Sequence, residues 1–287
     1  MTRAPGGGGA GASDSLRMVE RGRPDAPPVL LLHGFTGSAQ AWGEEILARL
    51  SAHARVLAVD LPGHGGSPAP EDPGAYRLEG VVRRVLEVMD RSGTEQADWV
   101  GYSMGARVAL GAAVIHPQRV RRLVLESASP GLSSARDRDR RRRQDEALAR
   151  RLEARGIEPF VEFWMDQPLF ATQRRLPREV RERERARRLA QDPRALARVL
   201  RGLGTGSQPS FWDELSRVEV PTLLMTGSED EKFGKIAGRM VGEMSRAVHR
   251  SVRGVGHTVH LEAPERWLEV VLPFLRARGS SPVTPVV

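Results

Sequence analysis

The chain has 287 residues, no cysteine and a formal net charge of +8, with 40% hydrophobic and 28% charged residues. That suits one large globular domain, or one with an insertion, and excludes disulfides, thiolate chemistry and cysteine-based metal sites. No apolar run approaches the ~20 residues of a membrane span. Gly6 to Gly9 stand where a secretory signal needs apolar residues, so the expectation is a cytoplasmic protein without membrane insertion.

Met1 to Ser15 reads as a disordered lead and residues 279–287, with their prolines, as a flexible tail. Pro28 to Leu32 is a short apolar run, read as a buried strand. His33-Gly34-Phe35-Thr36-Gly37-Ser38 follows it. Ala39 to Ala52 has helical spacing through Trp42, Ile46, Leu47 and Leu50. Arg55 to Val59 is a second strand, running into Asp60-Leu61-Pro62-Gly63-His64-Gly65-Gly66-Ser67. That loop lacks the Gly-Lys-Ser/Thr ending of a phosphate loop and the spacing of a dinucleotide site, so it reads as a structural turn.

Leu78 to Ser92 is an amphipathic helix, and Ala97 to Val100 a strand. Gly101-Tyr102-Ser103-Met104-Gly105 comes next, then a helix to Ile115 that Pro117 stops. Gly-x-Ser-x-Gly between strand and helix is a nucleophile elbow, which lifts a serine above the C-terminal edge of an α/β sheet. Arg121 to Leu125 is the next strand.

The alternation of strand and helix implies a mostly parallel central sheet with helices on both faces. It breaks between Pro130 and Trp212, where only helical signals appear. Residues 130–212 therefore read as a helical cap inserted into a core of residues 16–129 and 213–278. Thr222 to Thr226 resumes the sheet, Lys232 to Ser245 is a helix, and Ala247 to Val252 a last strand. Pro264 to Arg278 is a final amphipathic helix.

The span Arg136 to Arg201 holds 20 arginines, no lysine and 12 acids, which is the whole net excess of the chain. Two readings remain open: solvated, arginine-rich helices, or a segment that holds an anion. Nucleic-acid binding is disfavoured, because acids are interleaved and no aromatic stacking pattern accompanies the run. Nothing in the sequence specifies an oligomeric state.

An elbow serine needs an acid and a histidine after it, in that order. Asp230, just past the strand ending at Thr226, and His257, in Gly254-Val255-Gly256-His257, are the candidates beside Ser103. Glu126, after the strand that follows the elbow, is a rival acid. Glu229 should point away from the site, and His260 should pack on the final helix. His33 and His64 suit loop or oxyanion-side positions better than a general base. Backbone N–H groups of Phe35 and Met104 are the expected oxyanion donors. Arg107, four after Ser103, is unusual, since a helix N-terminus is already positive. It suits a carboxylated substrate.

The chain resembles the 2-succinyl-6-hydroxy-2,4-cyclohexadiene-1-carboxylate synthases of menaquinone biosynthesis, a family of the α/β-hydrolase fold. The matching pieces are Leu32 to Ser38, Asp60 to Gly65, Gly101 to Arg107, Glu126 to Leu132, Gly204 to Ser210, Glu229 to Phe233 and Gly256 to His260. The His-Gly and Gly-x-Ser-x-Gly pieces belong to the whole superfamily, whereas Ser103 to Arg107, Gly204 to Pro209 and Asp230 to Phe233 are much more particular. The resemblance implies a lyase that eliminates pyruvate, with no metal and no cofactor. Ser103, activated by His257 and Asp230, would act as a base, and the partner is a small-molecule polycarboxylate. It also implies substrate contacts from Arg107, Arg141, Arg188, Tyr102, Trp164 and His33. In the runs Arg140 to Arg143 and Arg187-Arg188, Arg142 and Arg187 remain alternatives to Arg141 and Arg188. The competing function is a carboxylesterase or thioesterase working on an anionic acyl group through an acyl-enzyme.

Overall fold

The computed structural model describes residues 15–277. The disordered lead and flexible tail expected at the two ends lie outside the described residues, Ser15 apart. Seven strands form one sheet in the order β1-β3-β2-β4-β5-β6-β7. They are β1 (Met18–Arg21), β2 (Pro28–Leu32), β3 (Arg55–Val59), β4 (Ala97–Tyr102), β5 (Val120–Glu126), β6 (Thr222–Gly227) and β7 (Ala247–Val252). All neighbours are parallel except β1, which pairs antiparallel with β3. The central strands are buried on both faces. This is why β2, and the inner stretches 99–102 of β4 and 123–125 of β5, read as continuous apolar runs rather than alternating ones.

Helices cover both faces. On one side lie α2 (Leu78–Arg91), α3 (Met104–Ile115) and α8 (Glu231–Glu243), sealing a core around Leu30, Leu57, Trp99 and Leu125. On the other lie α1 (Gly43–Ser51) and α10 (Pro264–Arg276), around Leu31, Val56, Val100 and Trp267. The helix expected over Ala39 to Ala52 begins as a 3-10 turn at Ala39–Trp42 and continues as α1. The strand β1 and the one-turn helix α9 (Val259–Glu262) were not foreseen from the sequence.

Between β5 and β6 the chain forms α4 (Ala135–Arg155), α5 (Ile157–Met165), a 3-10 segment Pro168–Arg175, α6 (Arg178–Leu189) and α7 (Pro193–Leu203). These elements share a small core of Ala149, Leu152, Phe160, Leu196, Ala197 and Leu200. They reach the sheet edge through specific contacts. Arg175 makes a two-pronged ion pair with Glu229, and Gln191 receives the Gly65 N–H at 3.0 Å. Arg198 donates to the Ala69 carbonyl at 3.0 Å.

Most charges of this insertion are consumed locally. Arg140 pairs with Asp137, Arg142 with Asp139, Arg150 with Glu146, Arg178 with Glu182 and Arg187 with Glu184, all three or four residues apart. Arg201 bridges Glu146 and Glu153 between helices.

Candidate active site

Ser103 sits between β4 and α3 with φ 49° and ψ −104°, a strained conformation held by its surroundings. Its N–H donates to the Glu126 carbonyl at 2.8 Å. The flanking glycines are sterically required. A Cβ at Gly105 would lie 2.1 Å from the Leu32 carbonyl oxygen, and one at Gly101 would lie 2.6 Å from the Ala106 nitrogen. The helix can start this close to β2 and β4 only without those side chains.

His257 Nε2 is 3.1 Å from Ser103 Oγ, and its Nδ1 is 2.6 Å from Asp230 Oδ2. The carboxylate partner makes Nδ1 the donor, which leaves Nε2 free to accept from the serine. His257 and Asp230 are both buried. Asp230 also caps α8, accepting from the Phe233 N–H at 3.4 Å. Phe233 packs on the His257 ring at 4.6 Å, and Phe170 from the insertion approaches it at 6.1 Å.

The loop after β2 runs beside the serine. A Cβ at Gly34 would come within 3.6 Å of Ser103 Cβ. Among the described residues, the N–H groups of Phe35 and Met104 have no hydrogen-bond acceptor. Two buried histidines hold the loop. Leu61 N–H donates to His33 Nε2 at 3.0 Å, and His33 Nδ1 donates to the Gly34 carbonyl at 2.8 Å. Thr36 N–H donates to His64 Nε2, and His64 Nδ1 donates to the Pro62 carbonyl, both at 3.2 Å. The expected substrate contact from His33 is therefore corrected: both of its ring nitrogens are occupied by backbone. Burial holds His33 below its ordinary pKa, and His64 well below.

Arg107 lies on the first turn of α3, 9% exposed, with its Nη1 donating to Gln208 Oε1 at 2.7 Å. No carboxylate pairs with it among the described residues. Burial, and then the nearby Arg141, pull its pKa down to about 10. Arg141 donates to Asp145 Oδ1 at 2.8 Å and is partly exposed. Its neighbour Arg142 turns to Asp139 and the Gly206 carbonyl. Arg188 is 8% exposed, and its Nη1 has no partner among the described residues. Its guanidinium lies 5.7 Å from the Phe170 ring, whereas Arg187 is paired with Glu184. Burial lowers the Arg188 pKa.

Tyr102 lies between His257 and His260, with ring distances of 5.5 and 4.8 Å. Its hydroxyl bonds Thr258 Oγ1 at 2.7 Å, which also receives Gln173 Nε2 at 2.9 Å. Burial pushes its pKa up. Trp164 stacks on Phe160 and meets Phe35 at 5.3 Å, with its buried Nε1 unpartnered among the described residues.

The rival acid Glu126 is fully committed elsewhere. Its two oxygens lie 2.9 and 3.0 Å from His260 Nδ1, and Trp267 Nε1 donates to it at 2.8 Å. His260 thus belongs to a buried scaffold pair beneath Tyr102, and reaches α10 through Trp267's partner rather than by packing alone. Glu229 turns out to Arg175.

Sequence reasoning assigned no role to Gln208, Gln173, Thr258, Phe170 or Phe233. Gln208, Thr258 and Phe233 lie inside the motif segments already quoted, but none has a local signature of its own.

A family model described as alpha/beta hydrolase fold matches residues 27–264. A Bacillus subtilis (strain 168) protein, provisionally named 2-succinyl-6-hydroxy-2,4-cyclohexadiene-1-carboxylate synthase, is 37% identical over 265 residues. The match covers 92% of this chain and 96% of that protein. The synthase of the same name from Serratia proteamaculans (strain 568) is 28% identical, covering 91% and 98%. Among solved structures, MenH from S. aureus superposes with a TM-score of 0.86 at 32% identity, covering 91% of this chain and 98% of that one. An enol-lactonase from Burkholderia xenovorans LB400, at 22% identity and a TM-score of 0.79, shares the fold.

Proposed function

The chain belongs to the 2-succinyl-6-hydroxy-2,4-cyclohexadiene-1-carboxylate synthase family of the α/β-hydrolase fold, and from that premise we propose a mechanism for its own residues. The reaction is elimination of pyruvate from 2-succinyl-5-enolpyruvyl-6-hydroxy-3-cyclohexene-1-carboxylate. His257 takes the proton of Ser103, and Asp230 steadies the resulting imidazolium. The serine oxygen then removes the ring proton beside the succinyl ketone.

The electron pair moves onto the ketone oxygen, where the Phe35 and Met104 N–H groups stabilise it. Each such donor is worth roughly 2.7–4 kcal/mol. Its return forms one ring double bond, shifts the other, and breaks the carbon–oxygen bond to the enolpyruvyl group. The leaving group takes up a proton and departs as pyruvate. No acyl-enzyme forms.

The observation that carries this reading is a pair of buried cations beside the triad, Arg107 on the first turn after Ser103 and Arg188 against Phe170, which approaches His257. Among the described residues, Arg107 and Arg188 are buried without a carboxylate partner. A buried charge left unpaired is costly, so a ligand that brings carboxylates is the natural complement. The substrate carries three. Arginine's planar fork suits them, with Arg141, Tyr102 and Trp164 as further contacts.

The test supplies the enolpyruvyl substrate and follows pyruvate and the diene chromophore together. Stoichiometric release of both is expected. Rapid ester turnover with phosphonate trapping and no pyruvate would instead establish the acyl-enzyme hydrolase.

A further inference from the structure

The partner of Arg107 is chemically informative. Gln208 is 1% exposed and comes from the segment after α7, 101 residues along the chain from Arg107. Its carbonyl oxygen accepts from Arg107 Nη1, so the amide is oriented with Nε2 away from the arginine. That Nε2 is buried and has no acceptor among the described residues. An unfilled buried donor is destabilising, so this amide is poorly explained as a stabilising element alone.

The segment is built to hold Gln208 in place. The Gln208 N–H donates to the Gly204 carbonyl at 3.1 Å, and the Gly206 N–H to Asp145 Oδ2 at 3.2 Å. A Cβ at Gly206 would lie 2.4 Å from the Arg142 nitrogen, which fixes the turn tightly against α4. Gly131, at φ 101°, leaves the space beside Nε2, where a Cβ would come within 3.3 Å.

Two neighbouring arginines are thus treated differently. Arg141 receives a full negative charge from Asp145. Arg107, more deeply buried, receives only a neutral carbonyl. An acid at position 208 would satisfy Arg107 better, but would also compete with an incoming carboxylate. A neutral acceptor fixes the guanidinium plane and leaves its charge for the ligand.

We propose that Gln208 is a positioning residue that aims Arg107 at a substrate carboxylate without neutralising it, and so sets the selectivity of this site for anionic substrates. This rests on the substrate class argued above. Gln208 acts through Arg107, and among the described residues its side chain makes no hydrogen bond to the triad or the oxyanion donors.

The discriminating variant is Gln208→Glu, which keeps shape and adds a charge. Its KM for the enolpyruvyl substrate should rise at least tenfold, with kcat changed less. Its Tm should rise, because a buried cation gains a partner. In an Arg107→Met background the same change should no longer raise KM, since the residues act as a unit. Gln208→Leu, which frees the guanidinium, should lower kcat/KM without raising Tm.

A KM within twofold of wild type in Gln208→Glu would overturn the proposal, as would an equal effect in the Arg107→Met background. The lyase reading fails separately, if wild type releases no pyruvate. The comparison is then made on carboxylated against neutral esters, where Gln208→Glu should reduce the preference for the carboxylated ester at least tenfold. An unchanged preference sinks the proposal in that case too.

Discussion

Replacing Arg107 by methionine should separate stability from activity. The guanidinium is buried, and burial pulls its pKa more than two units below the ordinary arginine value, down to about 10. At about 1.36 kcal/mol per unit, the charged form costs the ligand-free fold on the order of 3 kcal/mol. Methionine has similar length, carries no charge and fills most of the same space. It leaves Gln208 Oε1 without its donor, at a cost of about 1–3 kcal/mol. The two effects nearly offset, so Tm should stay level or rise by a few degrees.

Activity should move the other way. Losing a buried charge contact to a substrate carboxylate costs about 2–5 kcal/mol. Arg141 is close enough to affect Arg107 and can serve part of the load, which favours the lower end. A fall of about thirtyfold in kcat/KM is expected, at about 1.4 kcal/mol per factor of ten. Diene formation gives the rate, and thermal unfolding followed by circular dichroism gives Tm. A variant that melts several degrees lower yet keeps kcat/KM within twofold would refute the reasoning and make Arg107 a structural residue.

Gly105→Ala should be among the worst single changes, because its Cβ meets the Leu32 backbone at 2.1 Å. The displaced helix start should cut kcat by about a hundredfold or more, as ~1 Å misplacements do, and a soluble variant with normal kcat would contradict the elbow packing. Asp230→Asn should lower kcat by about 10⁴, whereas Glu126→Gln should mainly lower Tm by weakening the His260 pair. The reverse pattern would make Glu126 the triad acid. Burial holds His33 below and His64 well below the ordinary histidine pKa, so the unfolded chain takes up these protons at a higher pH than the fold does. Stability should be level above pH ~6.5 and fall below it, by up to about 1.4 kcal/mol per pH unit for each histidine. A Tm unchanged from pH 7 to pH 5 would speak against that, and His64→Gln should flatten the slope.

The features legible in the sequence are those whose signal is local. Buried parallel strands read as apolar runs, and the elbow needs its glycines within five residues. Asp230 and His257 were placed by chain order relative to Ser103. Strand β1 was missed because four residues, Met18–Arg21, on an antiparallel edge give too short a pattern to count. The cap arginines were ambiguous for a different reason. Within Arg140 to Arg143 every position carries the same side chain, so helical periodicity cannot select one. Packing separates them: Asp145 draws Arg141, while Asp139 and Gly206 draw Arg142. His33 misled because a histidine beside an oxyanion loop looks functional until both nitrogens are traced to backbone. Gln208 had no signature, since its meaning lies in a partner 101 residues away.

The arginine excess is where composition and structure part most clearly. The span with the whole net charge also carries many exposed ion pairs along and between its own helices, such as Arg150 with Glu146 and Arg201 with Glu153, which leave its net excess unchanged. Such pairs contribute little to stability or specificity, about 0–1 kcal/mol each. The informative cations are few, and one of them, Arg107, lies outside that span. Among the described residues, what distinguishes Arg107 and Arg188 is burial without a carboxylate partner, an arrangement that costs the ligand-free fold free energy. A hydrolase of neutral esters with the same triad gains nothing from carrying that cost. An enzyme whose substrate supplies the missing carboxylates recovers it on binding. On the proposed mechanism the bound ring would be gripped near Ser103, with a proton rather than a carbonyl carbon facing the oxygen. The preference for an anionic substrate is thus set by where the fold leaves positive charge unanswered, and not by the triad.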